Sequence, residues 1–431
     1  MADVNVIGQI EKIENTVISG LKDFQKATVT RIVQLYRAGQ MRVLVSDEVG
    51  LGKTLIARGT IAKLAKLQKE VGDNLVKVVY ICSNASIAEQ NLNKLRITSE
   101  LRTERTGSSR LSMQHLNIFK QENDSDLLSR YIQLIPLTPD TSFRMTNGAG
   151  TYPERALMFA ILRRLPELSQ YTKALEFAMK DGASSGWDGW AKSWYETEVL
   201  ECDKLSGGKY LSYMLKKLSV ELKEPAEENV TYLDLVVGMC KTIEKYGYKK
   251  QNNNYVIGKL RVLFAKISLD KLEPDLVIMD EFQRFKYLIN SDPESETGML
   301  ANKFFNSDKV RMLLLSATPY KMYSTLEEID EAQVDEHYSE FFDVMNFLNI
   351  TEEEKTEFKS VWSNYSVHLK ELTDGDTTIL SAKKAAEDAM YQHICRTERV
   401  SATENADIID DKDVSVPISV MEQDIKSYLQ A

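Results

Sequence analysis

The chain contains 431 residues, of which 43% are hydrophobic and 27% are charged, and its formal net charge is −10 at pH 7. A hydrophobic fraction of this size excludes a disordered chain, and the negative charge argues against nucleic-acid binding through overall charge alone. No apolar run approaches the roughly 20 residues of a membrane span, and the N-terminus lacks the apolar centre of a secretion signal. We therefore expect a cytoplasmic protein with no membrane partner.

A glycine-rich turn follows the first predicted strand, at residues 42–45. It reads Asp47-Glu48-Val49-Gly50-Leu51-Gly52-Lys53-Thr54 and leads into a helical pattern, which is the setting that a phosphate-binding loop needs. The backbone N–H groups of Gly50, Leu51 and Gly52 would approach the phosphates at the positive end of the helix dipole. Lys53 would reach the outer phosphates, and the Thr54 hydroxyl would bind Mg²⁺.

A second predicted strand, at residues 75–82, ends in the turn Cys82-Ser83-Asn84 and is followed by a helical pattern. Ligands gather at the carboxyl ends of parallel strands. We therefore expect Ser83 and Asn84 near the phosphate loop, where their side chains could bind a nucleic-acid phosphate. Capping of the following helix by Ser86 is the alternative role of this turn.

Long helical patterns replace the strand-helix alternation between residues 101 and 272, which predicts a largely helical insertion. Trp187, Trp190 and Trp194 recur there at helical spacing. Such a stripe is more typical of a core or an interface than of a platform for base stacking.

A basic run with interleaved aromatic residues ends this insertion, at residues 245–271. Side chains of these two kinds can track a single nucleic-acid strand through phosphate pairing and base stacking. The candidates for such contacts are Lys245, Lys249, Lys250, Lys259 and Arg261. A solvated helix face is the alternative meaning of the run.

Two further buried strands are predicted to end in polar residues at the same edge of the sheet. The first runs from Leu276 into Asp280-Glu281, where Asp280 would hold Mg²⁺ and Glu281 would orient or deprotonate the attacking water. The second, residues 310–315, runs into Ser316-Ala317-Thr318-Pro319. Taken alone, the hydroxyl groups of this last motif could be turn chemistry.

In combination, the motifs resemble the first RecA-like domain of superfamily 2 helicases and translocases. The segments that carry the resemblance are Phe24-Gln25, the phosphate loop, Asp280-Glu281-Phe282-Gln283 and Ser316-Ala317-Thr318-Pro319. The loop looks most like that of Snf-type translocases, in which an aspartate at the position of Asp47 is usual. The tetrad departs from the Asp-Glu-Ala-Asp and Asp-Glu-Ala-His forms.

This resemblance implies an α/β fold with a RecA-like parallel sheet flanked by helices, and it implies ATP and Mg²⁺ as cofactors. The large, mostly helical insertion lies outside the resemblance. It places Phe24 and Gln25 against the adenine. It also implies that Ser316 and Thr318 couple the nucleotide state to the grip on nucleic acid. Gln283 is counted with the catalytic residues and would join the two hydroxyl groups across the cleft.

The predicted organisation has four parts. Residues 1–100 and 273–322 form the RecA-like ATPase domain, residues 101–272 form the insertion, and residues 323–431 form an acidic helical extension. The resemblance also implies a second RecA-like domain, which carries an arginine motif. Because that motif is not found here, we expect the second domain in the same chain or in a partner. We therefore expect the chain alone to bind ATP and to hydrolyse it poorly.

The leading functional hypothesis is an ATP-dependent helicase or translocase, with DNA favoured over RNA because the loop resembles the Snf type. The alternative is a nucleotide-gated module that binds a partner protein without translocation. A small-molecule phosphotransferase is a third hypothesis, against which the Ser-Ala-Thr-Pro motif argues.

Overall fold

The computed structural model describes residues 2–72, 75–83, 85–101, 110–142, 148–180, 184–246, 253–289, 291–292, 295–305, 310–317, 341–370 and 377–397. Within these ranges the strands are β1 (Arg42–Val45), β2 (Val76–Ile81), β3 (Ile132–Leu137), β4 (Pro225–Glu227), β5 (Val230–Thr231), β6 (Leu276–Asp280), β7 (Arg311–Leu315) and β8 (Ile394–Cys395). Six of them form one sheet in the order β3-β2-β6-β7-β1-β8, and each neighbouring pair is parallel. Strands β4 and β5 form a separate antiparallel pair.

The α-helices are α1 (Ala2–Ser19), α2 (Asp23–Arg37), α3 (Lys53–Glu70), α4 (Ala85–Leu95), α5 (Gln114–Glu122), α6 (Leu127–Tyr131), α7 (Pro139–Ser142), α8 (Tyr152–Leu162), α9 (Pro166–Ser169), α10 (Thr172–Lys180), α11 (Ser184–Gly186), α12 (Lys192–Leu205), α13 (Lys209–Glu221), α14 (Tyr232–Tyr246), α15 (Asn254–Leu272), α16 (Lys286–Ile289), α17 (Glu296–Phe305), α18 (341–348), α19 (Glu352–Lys370) and α20 (Thr378–Tyr391). Short 3-10 turns lie at Leu111–Met113 and Phe282–Phe285, and a π-helical turn lies at Trp187–Ala191. No helix among the described residues is both long enough and apolar enough to cross a membrane.

The central strands are apolar on both faces, as expected for a parallel sheet that is covered by helices on both sides. Alternate residues of β1 show the division: Val43 and Val45 face helices α1 to α4, whereas Leu44 belongs to the core on the opposite face. That opposite core includes residues of α15, α17 and α18. The predicted fold class, a parallel sheet flanked by helices with a large helical region, is therefore confirmed.

The sheet contains two strands that lie outside the segments predicted for it. Strand β3 falls within the predicted insertion and pairs with β2 along its whole length. Strand β8 falls within the predicted acidic extension and pairs with β1 through Ile394 and Cys395. Gln133 and Pro136 interrupt the apolar run of β3, and β8 has only two residues, so neither strand produces the long apolar run that would reveal it.

The helical insertion has an apolar core of its own, which we call the insertion core. It is built from α5, α8, α10 and α12 to α15, with Trp187 fully buried in it. Trp190 and Trp194 lie outside it and are about half exposed, at 43% and 55%. Helix α15 contributes Leu260 and Phe264 to the insertion core and Val262 and Leu269 to the core beneath the sheet, so it connects the two.

Candidate functional site

The glycine-rich loop lies at the carboxyl end of β1 and leads directly into α3, an 18-residue helix that begins at Lys53. Gly50 and Gly52 have φ angles of +88° and +83°, which only glycine adopts at little cost. Glu48, Val49 and Gly50 are exposed to solvent. The loop therefore presents its backbone and the N–H groups of the first helical turn at one open edge of the sheet.

Gln25 supports this loop from α2. Its side chain is 4% exposed, and its Nε2 donates a hydrogen bond to the Leu51 carbonyl at 3.0 Å. Its Oε1 accepts a hydrogen bond from the Lys22 N–H at 3.0 Å. A Cβ atom at Gly52 would lie only 2.6 Å from Nε2. Gln25 thus braces the loop, while its predicted contact with adenine, together with that of the partly exposed Phe24, stays a prediction.

Lys53 lies between the loop and the acidic strand end. Its Nζ donates hydrogen bonds to the carbonyl oxygens of Asp47, at 2.9 Å, and Glu48, at 3.2 Å. Burial lowers the pKa of Lys53, and the carboxylates of Asp47, Asp280 and Glu281 act against this shift. The ammonium group is therefore within electrostatic reach of both predicted halves of the site.

Asp47 ties the loop to the segment that follows β8. Its carboxylate is fully buried, and Oδ1 accepts a hydrogen bond from the Thr397 N–H at 2.7 Å. Among the described residues, Oδ2 has no hydrogen-bond partner. Burial raises the pKa of Asp47, against the hydrogen bonds from Thr397 and the charges of Lys53 and Arg396. No local sequence pattern indicates this link, because the two residues are 350 positions apart.

Two donors converge on Asp280 at the end of β6. The Tyr80 hydroxyl donates a hydrogen bond to Oδ2 at 2.6 Å, and the Asn91 Nδ2 donates to the same oxygen at 3.2 Å. Burial raises the pKa of Tyr80 well above its ordinary value, and the Asp280 carboxylate adds to this shift. Neither donor is a predicted site residue. A tyrosine within the apolar run 78–81 of β2 is the one signal that the sequence offers.

Glu281 adopts a left-handed backbone conformation, with a φ angle of +54°. This conformation costs a residue with a side chain about 1–2 kcal/mol. The side chain is about half exposed, and its Oε2 forms an ion pair with Arg284 Nε at 2.7 Å. Backbone strain of this kind concentrates at functional sites, and Glu281 is the first residue after β6.

Gln283 and Ser316 join the ends of β6 and β7. The buried Ser316 hydroxyl donates a hydrogen bond to the Gln283 Oε1 at 2.9 Å. The Ser316 N–H donates to the carbonyl oxygen of Val45, the last residue of β1, at 3.1 Å. Ser316 therefore contacts the strand that leads into the phosphate loop as well as the turn that follows Glu281. Thr318 lies outside the described residues.

The donor groups at this edge fit Mg²⁺. Both hydrogen bonds to Asp280 fall on Oδ2, so Oδ1 has no hydrogen-bond partner among the residues that the structure describes. Thr54 is partly exposed in the first turn of α3. No group of three or more His, Cys, Asp or Glu side chains in the described part of the chain could hold a metal ion. One carboxylate and one hydroxyl suit Mg²⁺, which keeps several waters and binds substrate phosphates.

The predicted nucleic-acid contacts fall into separate groups. Ser83 is partly exposed just beyond β2, at the same edge of the sheet as the loop, and Asn84 lies outside the described residues.

The lysines predicted to contact nucleic acid lie in the insertion. Lys245 is exposed with its Nζ 5.2 Å from the centre of the Tyr246 ring, and the Nζ of the partly exposed Lys259 lies 5.5 Å from the centre of the Tyr255 ring. Lys249 and Lys250 lie outside the described residues.

Arg261 is a correction to the predicted nucleic-acid contacts. Its side chain is 2% exposed, and its Nε forms an ion pair with the fully buried Glu154 Oε1 at 2.9 Å. It also donates a hydrogen bond to the Gly148 carbonyl at 3.0 Å. The prediction was wrong because α15 is buried on more than one side, so basic residues adjacent in the sequence do not share a solvent face. Lys266 and Lys271 of the same run form ion pairs with Glu221 and Glu122.

Residues 18–135 match the model of one protein family, described as the type III restriction enzyme, res subunit. The matched segment contains Gln25, the phosphate loop and strands β1 and β2, and it ends within β3. It supports the resemblance to the N-terminal domain of superfamily 2 helicases and does not extend to Asp280 or Ser316. No curated protein and no solved structure matches the chain.

Proposed function

We propose that this chain is the ATP-binding motor domain of a helicase or translocase that acts on nucleic acid, with DNA favoured over RNA. The observation that carries the proposal is the convergence of Lys53, Asp280 and Glu281 at one edge of the parallel sheet. A phosphate loop and an acidic strand end in this arrangement are the two halves of a metal–nucleotide site. The family match over residues 18–135 supports the same assignment.

Each residue of the site has a distinct role in the proposed chemistry. The N–H groups of Gly50 to Lys53 bind the phosphates, and the Lys53 ammonium neutralises their charge. Thr54 and Asp280 would hold Mg²⁺, which when bound shields the charge that develops on the transferred phosphoryl group. Glu281 orients the attacking water or accepts its proton. Phe24 and Gln25 contact the adenine.

The hydrogen bond between Ser316 and Gln283 supports a coupling role for this part of the site. It joins the turn that carries Glu281 to the end of β7, and Thr318 lies two residues further along the chain. A change in the nucleotide at Glu281 would therefore alter the position of the chain beyond β7. On the nucleic acid we place Ser83, Asn84, Lys245, Lys249, Lys250 and Lys259.

A direct test measures the binding of a fluorescent ATP analogue in the presence of Mg²⁺. The substitution Lys53→Ala removes the cation at the phosphates, and we expect affinity to fall by at least about tenfold, which corresponds to about 1.4 kcal/mol. Lys384→Ala is the matched control, because Lys384 is an exposed lysine whose ion pair with Asp388 lies on α20. Absence of ATP binding by the unsubstituted chain would contradict the proposal.

The motor role needs a second test, since hydrolysis is expected to require a second RecA-like domain in this chain or in a partner. ATPase activity should rise with added duplex DNA once that domain is supplied. Reversal of charge at Lys245, Lys249, Lys250 and Lys259 to Glu should lower DNA affinity through the loss of phosphate contacts. If the reversal leaves DNA affinity unchanged, the proposed contact of the insertion with DNA is wrong.

A nucleotide-gated interaction module is the second candidate function, and one observation favours it. The insertion exposes large apolar side chains, namely Trp190, Trp194, Leu200 and Leu205, which are 43% to 64% exposed. Exposed aromatic and aliphatic groups of this kind are typical of protein-binding surfaces. ATP binding without any stimulation of hydrolysis by nucleic acid, in the presence of the second domain, would favour this candidate over the motor.

A further inference from the structure

We propose that Tyr80 and Asn91 are positioning residues for Mg²⁺: they fix the orientation of the Asp280 carboxylate so that its Oδ1 faces the metal. The inference rests on the proposed function, because it assigns roles around the same nucleotide site. Neither residue belongs to the motifs that point to that site. Both are identified by their contacts alone.

The register of the sheet places the Tyr80 hydroxyl at Asp280. Strands β2 and β6 are parallel neighbours, and Tyr80 is paired with Ile278. Side chains two residues apart in a strand point to the same face. Tyr80 therefore lies on the same face of the sheet as Asp280, one step back along the strand, and its hydroxyl reaches Oδ2 at 2.6 Å. Its ring is buried in the core between the sheet and helices α1 to α4.

Asn91 completes the arrangement from α4. Its Nδ2 lies 2.8 Å from the Tyr80 hydroxyl oxygen and 3.2 Å from Asp280 Oδ2. The tyrosine proton is already donated to the carboxylate, so the phenol oxygen can only accept a hydrogen bond from Asn91. The carboxylate can only accept as well. The amide group of Asn91 must therefore turn its NH₂ end, which donates to both.

The two donors act on one oxygen of the carboxylate. A carboxylate that accepts hydrogen bonds at Oδ2 from two fixed groups cannot rotate freely, and its Oδ1 has no hydrogen-bond partner among the described residues. Partners behind a metal ligand fix its orientation, and their loss typically lowers metal affinity by about 10–100-fold. Tyr80 is the one member of β2 with a side-chain donor near Asp280, because Lys77, at the other end of the strand, donates to the Lys271 carbonyl and pairs with Glu122.

The experiment separates this role from a purely structural one by varying Mg²⁺. Binding of a fluorescent ATP analogue to the full chain is measured in EDTA and then over a Mg²⁺ titration. We expect Tyr80→Phe and Asn91→Ala each to raise the Mg²⁺ concentration at half-maximal enhancement of binding by about tenfold. Affinity in EDTA should change by less than about twofold, because neither side chain touches the phosphate loop.

Tyr131→Phe is the matched control. Tyr131 is also buried in the core between the sheet and helices α1 to α4, and its hydroxyl donates a hydrogen bond to the Ala65 carbonyl at 2.7 Å, away from Asp280. This control should leave the Mg²⁺ midpoint unchanged. Asn91→Ala guards against misfolding of the tyrosine variant, because Asn91 is only partly buried.

Three outcomes would overturn the inference. An unchanged Mg²⁺ midpoint in both variants, with normal Mg²⁺-dependent binding by the unsubstituted chain, contradicts it alone and leaves the proposed function in place. An equal shift in Tyr131→Phe would mean that any lost buried hydroxyl in this core has the same effect. Absence of Mg²⁺-dependent binding in the unsubstituted chain contradicts the proposed function, and the role of Tyr80 and Asn91 fails with it.

Discussion

Polar side chains at the carboxyl ends of the parallel strands meet at the candidate site, whereas those buried in the helical insertion pair with one another inside an apolar core. The pairs at the sheet edge are Asp47 with Thr397, Tyr80 with Asp280, and Gln283 with Ser316. Each pair joins two different segments of the chain and includes a residue of the candidate site. Their hydrogen bonds position groups that face an open edge.

The insertion uses buried polarity differently. Glu154 on α8 forms an ion pair with Arg261 on α15 and accepts a hydrogen bond from Ser112, and all three side chains are buried. His115 and Tyr210 share a hydrogen bond at 3.1 Å in the same core. These contacts connect helix to helix and face no open edge, so their role is to hold the helices in one arrangement. Polar groups of the same kind thus line the candidate site in one region and connect helices in the other.

The largest effect is expected from Glu154→Ala, which should lower the free energy of unfolding. The substitution leaves the Arg261 guanidinium buried without its carboxylate partner, and broken buried ion pairs of this type cost about 3–5 kcal/mol. Urea unfolding should show the loss. The control Asp388→Ala removes the exposed partner of Lys384 and should cost less than about 1 kcal/mol.

The contrast between the two regions adds a second readout to that experiment. If Glu154 serves only the fold, the folded fraction of Glu154→Ala should bind an ATP analogue as the unsubstituted chain does. A large loss of affinity in the folded fraction would show that the insertion core and the loop are coupled, which α15 could mediate because it contributes to both cores.

An intermediate effect, on ATP affinity, is expected from substitutions in the phosphate loop, where two glycines provide a matched comparison. Alanine at Gly50 or Gly52 must adopt a positive φ angle, which costs about 1–2 kcal/mol in either case. Only at Gly52 would the new Cβ collide with Gln25, at 2.6 Å, whereas nothing lies within 4 Å of it at Gly50. ATP affinity should therefore fall about tenfold further in Gly52→Ala than in Gly50→Ala.

The double variant Gly52→Ala with Gln25→Ala sharpens this test. Removal of the Gln25 side chain relieves the collision, so the double variant should bind ATP more tightly than Gly52→Ala alone. Equal affinities of the two single glycine variants would show that the contact between Gln25 and the loop does not control nucleotide binding.

The strands that the sequence predicted share a property with the site residues that it predicted: both lie in short continuous segments. Strands β1, β2, β6 and β7 are apolar runs that end in recognisable polar residues, so the fold class and the position of the loop followed from local pattern. Strand β3 ends at Leu137 and lies within the predicted insertion, because Gln133 and Pro136 interrupt its apolar run and no recognisable site motif follows it.

What could not be predicted depends on contacts between distant segments. The Thr397 N–H that binds Asp47 is a backbone group, which any residue at that position except proline would supply. Arg261 lies among basic residues in the sequence, and this run predicts a basic face. Its burial depends on the packing of α15 against two cores at once. Residue spacing along one helix does not show a second packing surface, so the burial of Arg261 could not be predicted from the sequence.

The smallest expected effect is the pH dependence of stability that His115 causes in the insertion core. Full burial lowers the pKa of His115 to about 3, whereas an unfolded histidine titrates near 6.5. The folded state therefore favours the neutral imidazole, and the stability that this contributes is present above about pH 6.5 and is lost progressively as the pH falls towards 3. Between pH 7.5 and 5.5 the loss should be about 1 kcal/mol.

His115→Phe tests this assignment, because phenylalanine keeps an aromatic ring beside Tyr210 and Phe264 and cannot titrate. The difference in unfolding free energy between pH 7.5 and 5.5, measured in urea, should shrink by about 1 kcal/mol. It should not vanish, since burial also lowers the pKa of His393 beside β8. Tyr210→Phe removes the hydroxyl partner but leaves the imidazole buried, so this control should retain the pH dependence. An unchanged difference in His115→Phe would mean that the pH dependence of stability comes from His393 and its neighbours beside β8 and not from the insertion core.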